Sequence, residues 1–252
     1  MTLPGFSAET SLYETRAHYR SMGASAQAGG VYRFTPQLVA GLAFGYSQSN
    51  TNFDTSAVSA PGQSLSGNLL QGNIYATYAM TDAWWLNGIA LVGGGNNNST
   101  RHIAFGTNDF DAITGVTNMA VETVATGSFG TRVAGATVAS GYDFPFGPLI
   151  LTPIARFLYQ HTNVNAFSEE GALGADLQFG SSSVNTVLSL LGADAQYILP
   201  TSFGFLYPIA RFHWAHQYSP GNTSVSVAYS NDPSLQTRAL ACPSMPPARS
   251  ST

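Results

Sequence analysis

Several stretches of this chain alternate in character with period two over about 10 to 16 residues, whereas strands in soluble domains average about 5 to 6. In 38–46, Leu38, Ala40, Leu42, Phe44 and Tyr46 fall on one face of an extended strand, and Val39, Gly41, Ala43 and Gly45 fall on the other. In 66–80, Leu70, Ile74, Tyr78 and Met80 share one face, opposite Gln71, Asn73, Tyr75 and Thr77. Further strands are expected near 24–34, 84–96, 128–143, 149–162, 183–199 and 203–218. That makes about eight strands, each long enough to cross a bilayer at a tilt.

A sheet with one greasy face needs a partner for that face, and composition says what the partner is. Charged residues make up only 9% of the chain, against about 25% in an average soluble domain. No run of 18 apolar residues occurs, so a membrane-spanning helix is excluded. Lipid leaves backbone N–H and C=O groups without partners, so a spanning chain without helices must be a closed sheet. The expected fold is therefore all-β, an antiparallel up-and-down meander forming a transmembrane β-barrel. All nine cations are arginines, dispersed along the chain, and the formal charge is −4. This argues against nucleic acid as a partner.

The connections follow the same logic. Tight turns are expected at 35–37, 81–83, 144–148 and 200–204, alternating with longer polar loops at about 50–65, 97–127, 163–182 and 218–224. An internal repeat supports a hairpin unit: Leu151-Thr152-Pro153-Ile154-Ala155-Arg156-Phe157 recurs 55 residues later as Leu206-Tyr207-Pro208-Ile209-Ala210-Arg211-Phe212, with His161 matching His216. The arginines alternate against the apolar positions. A charge facing lipid at mid-depth costs about 2–4 kcal/mol, so Arg156 and Arg211 are expected to line the lumen with Gln71, Asn73, Tyr75, Asp194 and Gln196. Trp84, Trp85, Tyr142, Phe144, Tyr159, Trp214 and Tyr218 lie near expected strand ends, as the aromatic girdles of a barrel would.

The run Val31-Tyr32-Arg33-Phe34-Thr35-Pro36-Gln37-Leu38-Val39-Ala40-Gly41-Leu42-Ala43-Phe44-Gly45-Tyr46-Ser47 resembles the early hairpin of the autotransporter β-domain family of type V secretion. The paired Pro-Ile-Ala-Arg-Phe strands resemble it too, as do the strand end Ala139-Ser140-Gly141-Tyr142-Asp143-Phe144 and the loop Phe167-Ser168-Glu169-Glu170-Gly171-Ala172. The resemblance covers roughly 24–230. It implies a twelve-stranded barrel in the bacterial outer membrane, of which about eight strands are legible here, with an open sheet as the corollary. It also implies a linker helix through the pore, an exported passenger upstream, and insertion by the barrel-assembly machinery. The expected division is a lead-in or first-strand remnant at 1–23, a partial barrel at 24–231, and a disordered, non-homologous tail at 232–252, where alternation stops and the lone cysteine, Cys242, lies. Met1-Thr2-Leu3-Pro4-Gly5 has neither the basic nor the apolar region of a secretory signal, so a signal is expected further upstream.

Chemistry is conspicuous by the motifs that do not occur. There is no G-x-S-x-G elbow, P-loop, dinucleotide fingerprint or H-E-x-x-H helix. Gly93-Gly94-Gly95 precedes three asparagines rather than a helix with Lys and Ser, and His213 and His216 would project to opposite faces of a strand. Glu169 and Glu170 read as solvated loop charges. No catalytic, cofactor or metal site is expected. The alternatives to a translocator are a porin-like or adhesion barrel, which keeps the alternation without a passenger, and a soluble β-sandwich binding domain, whose strands would be shorter and more charged.

Overall fold

A computed structural model of the chain describes residues 5–10, 18–54, 62–105, 109–111, 116–118, 121–202, 204–218 and 225–239. Its regular elements are all strands. We label the principal ones β1 (Gly5–Thr10), β2 (His18–Arg33), β3 (Leu38–Asp54), β4 (Gln63–Ala79), β5 (Trp84–Phe105), β6 (Val121–Tyr142), β7 (Leu149–Val164), β8 (Ser182–Tyr197), β9 (Ile209–Gln217), β10 (Val225–Tyr229) and β11 (Asp232–Ala239). From β1 to β9 each strand pairs antiparallel with the next. The eight strands expected from alternation correspond in order to β2–β9. Among the described residues, β9 pairs only with β8 and β1 only with β2.

The tight connections are built by a recurring device. In 34–37 the Thr35 hydroxyl accepts hydrogen bonds from the N–H groups of Gln37 (3.2 Å) and Leu38 (2.9 Å). In 80–83 the Thr81 hydroxyl does the same for Ala83 (3.3 Å) and Trp84 (2.9 Å). Backbone bonds from Phe34 and Thr35 to the Leu38 carbonyl are matched by those from Met80 and Thr81 to the Trp84 carbonyl. A threonine hydroxyl thus takes up N–H groups that the ladder cannot reach.

At the opposite end the strands run much further than alternation suggests. β5 and β6 pair without interruption from Trp84↔Tyr142 to Phe105↔Val121, 22 residues each. At about 3.4 Å per residue this is roughly twice what a tilted strand needs to cross a bilayer. Much of the loop expected at 97–127 is therefore ladder, and the same is true at 50–54 and 63–65. The polar run that suggested a loop is stitched across strands. Asn97 Nδ2 donates to Thr131 Oγ1 (2.7 Å), Ser128 Oγ to Asn98 Oδ1 (2.7 Å), and the Asn96 N–H to Asn68 Oδ1 (3.1 Å). Asparagine disfavours strands in general, but cross-strand side-chain bonds offset that preference here.

Above β7 the chain continues along β6 as Phe167–Glu170, turns at 171–176, and returns as Leu177–Phe179. β10 pairs with Leu177–Phe179 and β11 pairs with β10, so residues 232–239, which show no alternation, form an ordered strand. Gly171, Leu173 and Gly174 of the turn all have positive φ. Leu173 is the sole non-glycine among the described residues to do so.

The two faces of the sheet differ in exposure. On one, Leu42, Phe44, Leu70, Ile74, Val92 and Phe212 are 55 to 78% exposed. On the other, Ala43, Ala125 and Ala139 are buried. A single layer with one covered face and one bare face is a curled sheet, its convex side carrying the most exposed large apolar residues and its concave side a mixture of small, polar and shielded apolar ones.

Candidate pore-lining face

Residues opposite one another in an antiparallel ladder share a face, so register assigns every strand position to the concave or convex side. Gln71, Asn73 and Tyr75 share the concave face with Gly45, Ala43 and Gly41 of β3. Through β5 and β6 the same face continues to Leu158 of β7 and Leu188 of β8. Arg156, Asp194, Gln196 and Arg211 belong to it as well. The face is mixed rather than uniformly polar, since Ile89, Leu91, Leu158 and Leu190 also lie on it.

Two of its aromatic side chains lie flat over glycine. A Cβ on Gly41 would fall 2.6 Å from the Tyr75 ring, and one on Gly141 would fall 2.4 Å from that of Trp85. Tyr75 also donates its hydroxyl to the Gly30 carbonyl (3.3 Å). These glycines are required by close approach and by nothing in their own backbone, for neither has positive φ.

The charged groups collect at two heights. Near the tight turns, the Asp194 carboxylate meets Arg211 Nε (3.3 Å) and His213 Nε2 (2.8 Å). One row along, Thr152 Oγ1, whose backbone position is directly opposite Asp194, donates to Asp143 Oδ1 (2.6 Å). Arg156 stands on the same face but is not in an ion pair among the described residues. Thus Asp194 and Arg211 come together, while Arg156 is separate.

The second group lies at the far end and was not legible in the sequence. Arg101 pairs with Glu169 through two nitrogens and also donates to the Ala175 carbonyl (3.0 Å). The Leu177 N–H donates to Glu169 as well (3.2 Å). The Glu169 side chain is 3% exposed, so the expectation of a solvated loop carboxylate is wrong for this residue. The hairpin 167–179 folds down against β6, placing Phe167 between Phe129 and Phe179 in a stack with 4.6 Å centroid spacings. Arg101 and Glu169 are 68 residues apart in sequence, and only the alignment of β5, β6 and the hairpin brings them together.

The seven aromatics expected at strand ends divide between the faces. Trp84, Tyr142, Tyr159 and Trp214 share the convex face by register. Trp84 Nε1 donates to Ser140 Oγ (2.9 Å), Phe144 packs on Tyr142 at 4.6 Å, and Tyr218 bonds Ser189 Oγ (3.0 Å). Trp85 points the other way, onto Gly141. His213 lies on the concave face and His216 on the convex one, stacked on Trp214 at 5.5 Å. Among the described residues no three His, Cys, Asp or Glu side chains could hold a metal ion together.

The convex apolar surface is a sloping band. Its upper limit is Tyr46 on β3, Ala134 on β6, Tyr159 on β7, Val187 on β8 and Trp214 on β9. In the ladder, Val187 is level with Leu42 and Trp214 with Leu38, so the limit falls across the rows from Tyr46 to Leu38. A band that is level in a membrane and oblique to the rows means inclined strands, as barrel closure requires.

The family model described as the autotransporter β-domain matches residues 10–242. Among solved structures, the fold is similar to the β-domain of the Bordetella autotransporter BrkA, at 14% identity and TM-score 0.55, over 90% of this chain and 84% of that one. It is also similar to the translocator domain of autotransporter NalP from Neisseria meningitidis, at 13% identity and TM-score 0.52, over 89% of this chain and 78% of that one. At such identities the likeness carries the fold. No curated protein sequence matches the chain.

Proposed function

The chain belongs to the autotransporter β-domain family, and from that premise we propose that its concave face is the wall of a conduit and its convex face the surface that meets lipid. It is an outer-membrane translocator barrel of type V secretion, a transport barrel whose context is a membrane and an attached passenger. The finer reading concerns which residues do what. The observation that carries it is the split in exposure between Ile74, 57% exposed, and its neighbours Asn73 and Tyr75 on the shielded side.

In this reading Gln71, Asn73, Tyr75, Arg156, Asp194, Gln196 and Arg211 line the lumen. Their polar ends supply weak, replaceable hydrogen bonds to a passing chain, while Gly41, Gly45 and Ala43 keep the bore open on the β3 side. Trp84, Tyr142, Phe144, Tyr159, Trp214 and Tyr218 mark the two interfaces with lipid. The tight threonine turns face the periplasm and the long polar strand extensions face outward. Trp85 acts inside the wall by filling the space over Gly141. No residue performs catalysis and no cofactor is needed, since moving a chain through a preformed hole needs no bond to be made in the barrel. Insertion depends on the barrel-assembly machinery.

The reading is tested by export. A secretory signal and an epitope tag are placed ahead of the full chain and expressed in a Gram-negative host. Tag removal by externally added protease from intact cells is the expected result. A tag that stays protected while the barrel is membrane-embedded would overturn the assignment of the concave face as a conduit.

A further inference from the structure

We propose that Arg132, with Asn163 and His161 beside it, forms a site on the convex face for the phosphate of a lipid headgroup. Arg132 alternates with Ala134, Ala136 and Val138, so it projects on the side of the sheet that the reading above gives to lipid, and the proposal rests on that reading. It stands one alternation step above Ala134, the upper limit of the apolar band on β6. Across the ladder it lies opposite Gly94 on one side and Asn163 on the other, and Asn163 is in turn opposite Ser183. His161, opposite Ala134, is its diagonal neighbour, within reach of a long side chain.

This neighbourhood is polar, cationic and without carboxylates. Arg132 is exposed and has no ion pair or hydrogen bond among the described residues. The nearest convex carboxylate in register is Glu170, opposite Thr126, six residues further up β6. His161 is held in place, its Nδ1 bonded to Asn185 Oδ1 at 2.7 Å, and the Tyr159 hydroxyl donates to the same oxygen at 3.1 Å. That arrangement leaves Nε2 as the ring nitrogen without a partner among the described residues.

Depth decides what the ligand is. A guanidinium is costly in mid-bilayer, but near the interface most of that cost is gone. There it meets headgroups, whose phosphates match its planar fork of donors. A free ion would gain nothing from the apolar run below, whereas a lipid phosphate brings acyl chains that lie on Ala134, Ala136 and Val138. Fixing both ends of one molecule at adjoining surfaces multiplies the two weak interactions.

The probe is phosphatidic acid, titrated into the refolded full chain in neutral detergent micelles and counted by native mass spectrometry. One tightly held phosphatidic acid per barrel is expected, with phosphatidylcholine not retained. Arg132→Gln weakens retention at least about tenfold, the loss expected for a hydrogen-bonded charge, while Arg156→Gln on the concave face leaves it unchanged. Arg132→Lys, which keeps the charge without the fork, falls between. Should Arg132→Gln fail to shift on heating as a folded barrel does, Asn163→Leu reads the same site. Equal retention by folded Arg132→Gln, or no retained lipid in the parent chain, overturns the proposal. So does displacement by an equal concentration of inorganic phosphate, which would make the site one for free anions. With Cys242 replaced by serine, a nitroxide at Ala136→Cys, reached by oxygen but not by a water-soluble nickel chelate, shows separately that this face meets lipid.

Discussion

The lower and upper halves of the β5–β6 pair share one ladder but are stabilised by different means. Below, from Trp84 to Val92, side chains on the convex face are apolar and bare, and on the concave face Trp85, Asn87 and Leu91 are half-shielded. Above, from Asn96 to Phe105, both faces carry polar groups that hydrogen-bond across strands, and a hairpin closes over Arg101. The lower half is organised for lipid and has little core of its own. The upper half has a core of its own, built from one ion pair and three stacked phenylalanines. A β-strand can therefore change its source of stability partway along without changing its hydrogen bonding.

The difference is open to direct tests. The largest effect should follow Ile74→Arg, which places a charge in the convex band at a cost of about 2–4 kcal/mol. Refolding yield into bilayers, read by heat-dependent gel migration, should drop sharply, whereas Gln48→Arg, exposed on the same face one step above Tyr46, should change it by less than about 0.5 kcal/mol. Arg101→Met strands Glu169 in a buried place and should cost the hairpin about 3 kcal/mol. Hydrogen exchange should then quicken in 167–179 and leave β3 and β4 unchanged. Equal quickening in both places would mean that the two halves are one cooperative unit. Gly141→Val drives a side chain into the Trp85 ring, and overpacking of this kind costs about 1–3 kcal/mol. Near-ultraviolet circular dichroism should show Trp85 displaced. The smallest effects belong to Thr35→Ala and Thr81→Ala, each about 1 kcal/mol through a lost turn bond, additive in urea titrations because the turns are built independently.

Much of the lower half was legible in the sequence, and for a physical reason. Where one face meets lipid, every second residue is constrained, so Leu38 to Tyr46 and Leu70 to Ile74 announce both strand and face. The tight turns were legible for a related reason: Thr35-Pro36-Gln37 and Thr81-Asp82-Ala83 interrupt the alternation sharply. The upper half carries no such signal. There Asn96, Asn97 and Asn98 bond across strands without any apolar period, and they read as a loop. Arg101 and Glu169 are joined by strand alignment rather than by spacing. β11 was hidden for the same reason, since its pairing with β10 lies beyond the apolar band. Trp84 and Trp85 illustrate the limit at single-residue scale: aromatic identity placed both near a strand end, and only the ladder separates the residue on the bare face from the one packed on Gly141.

The most direct test of the account is the accessibility of two neighbouring positions. With Cys242 replaced by serine, a nitroxide is attached in turn at Asn73→Cys and Ile74→Cys in the barrel reconstituted in bilayers. The account predicts that the label at 74 is relaxed by oxygen and not by a water-soluble nickel chelate, and that the label at 73 shows the reverse. Chelate access at both positions would contradict it, because the convex face would then meet water and the sheet would not be the wall of a membrane conduit.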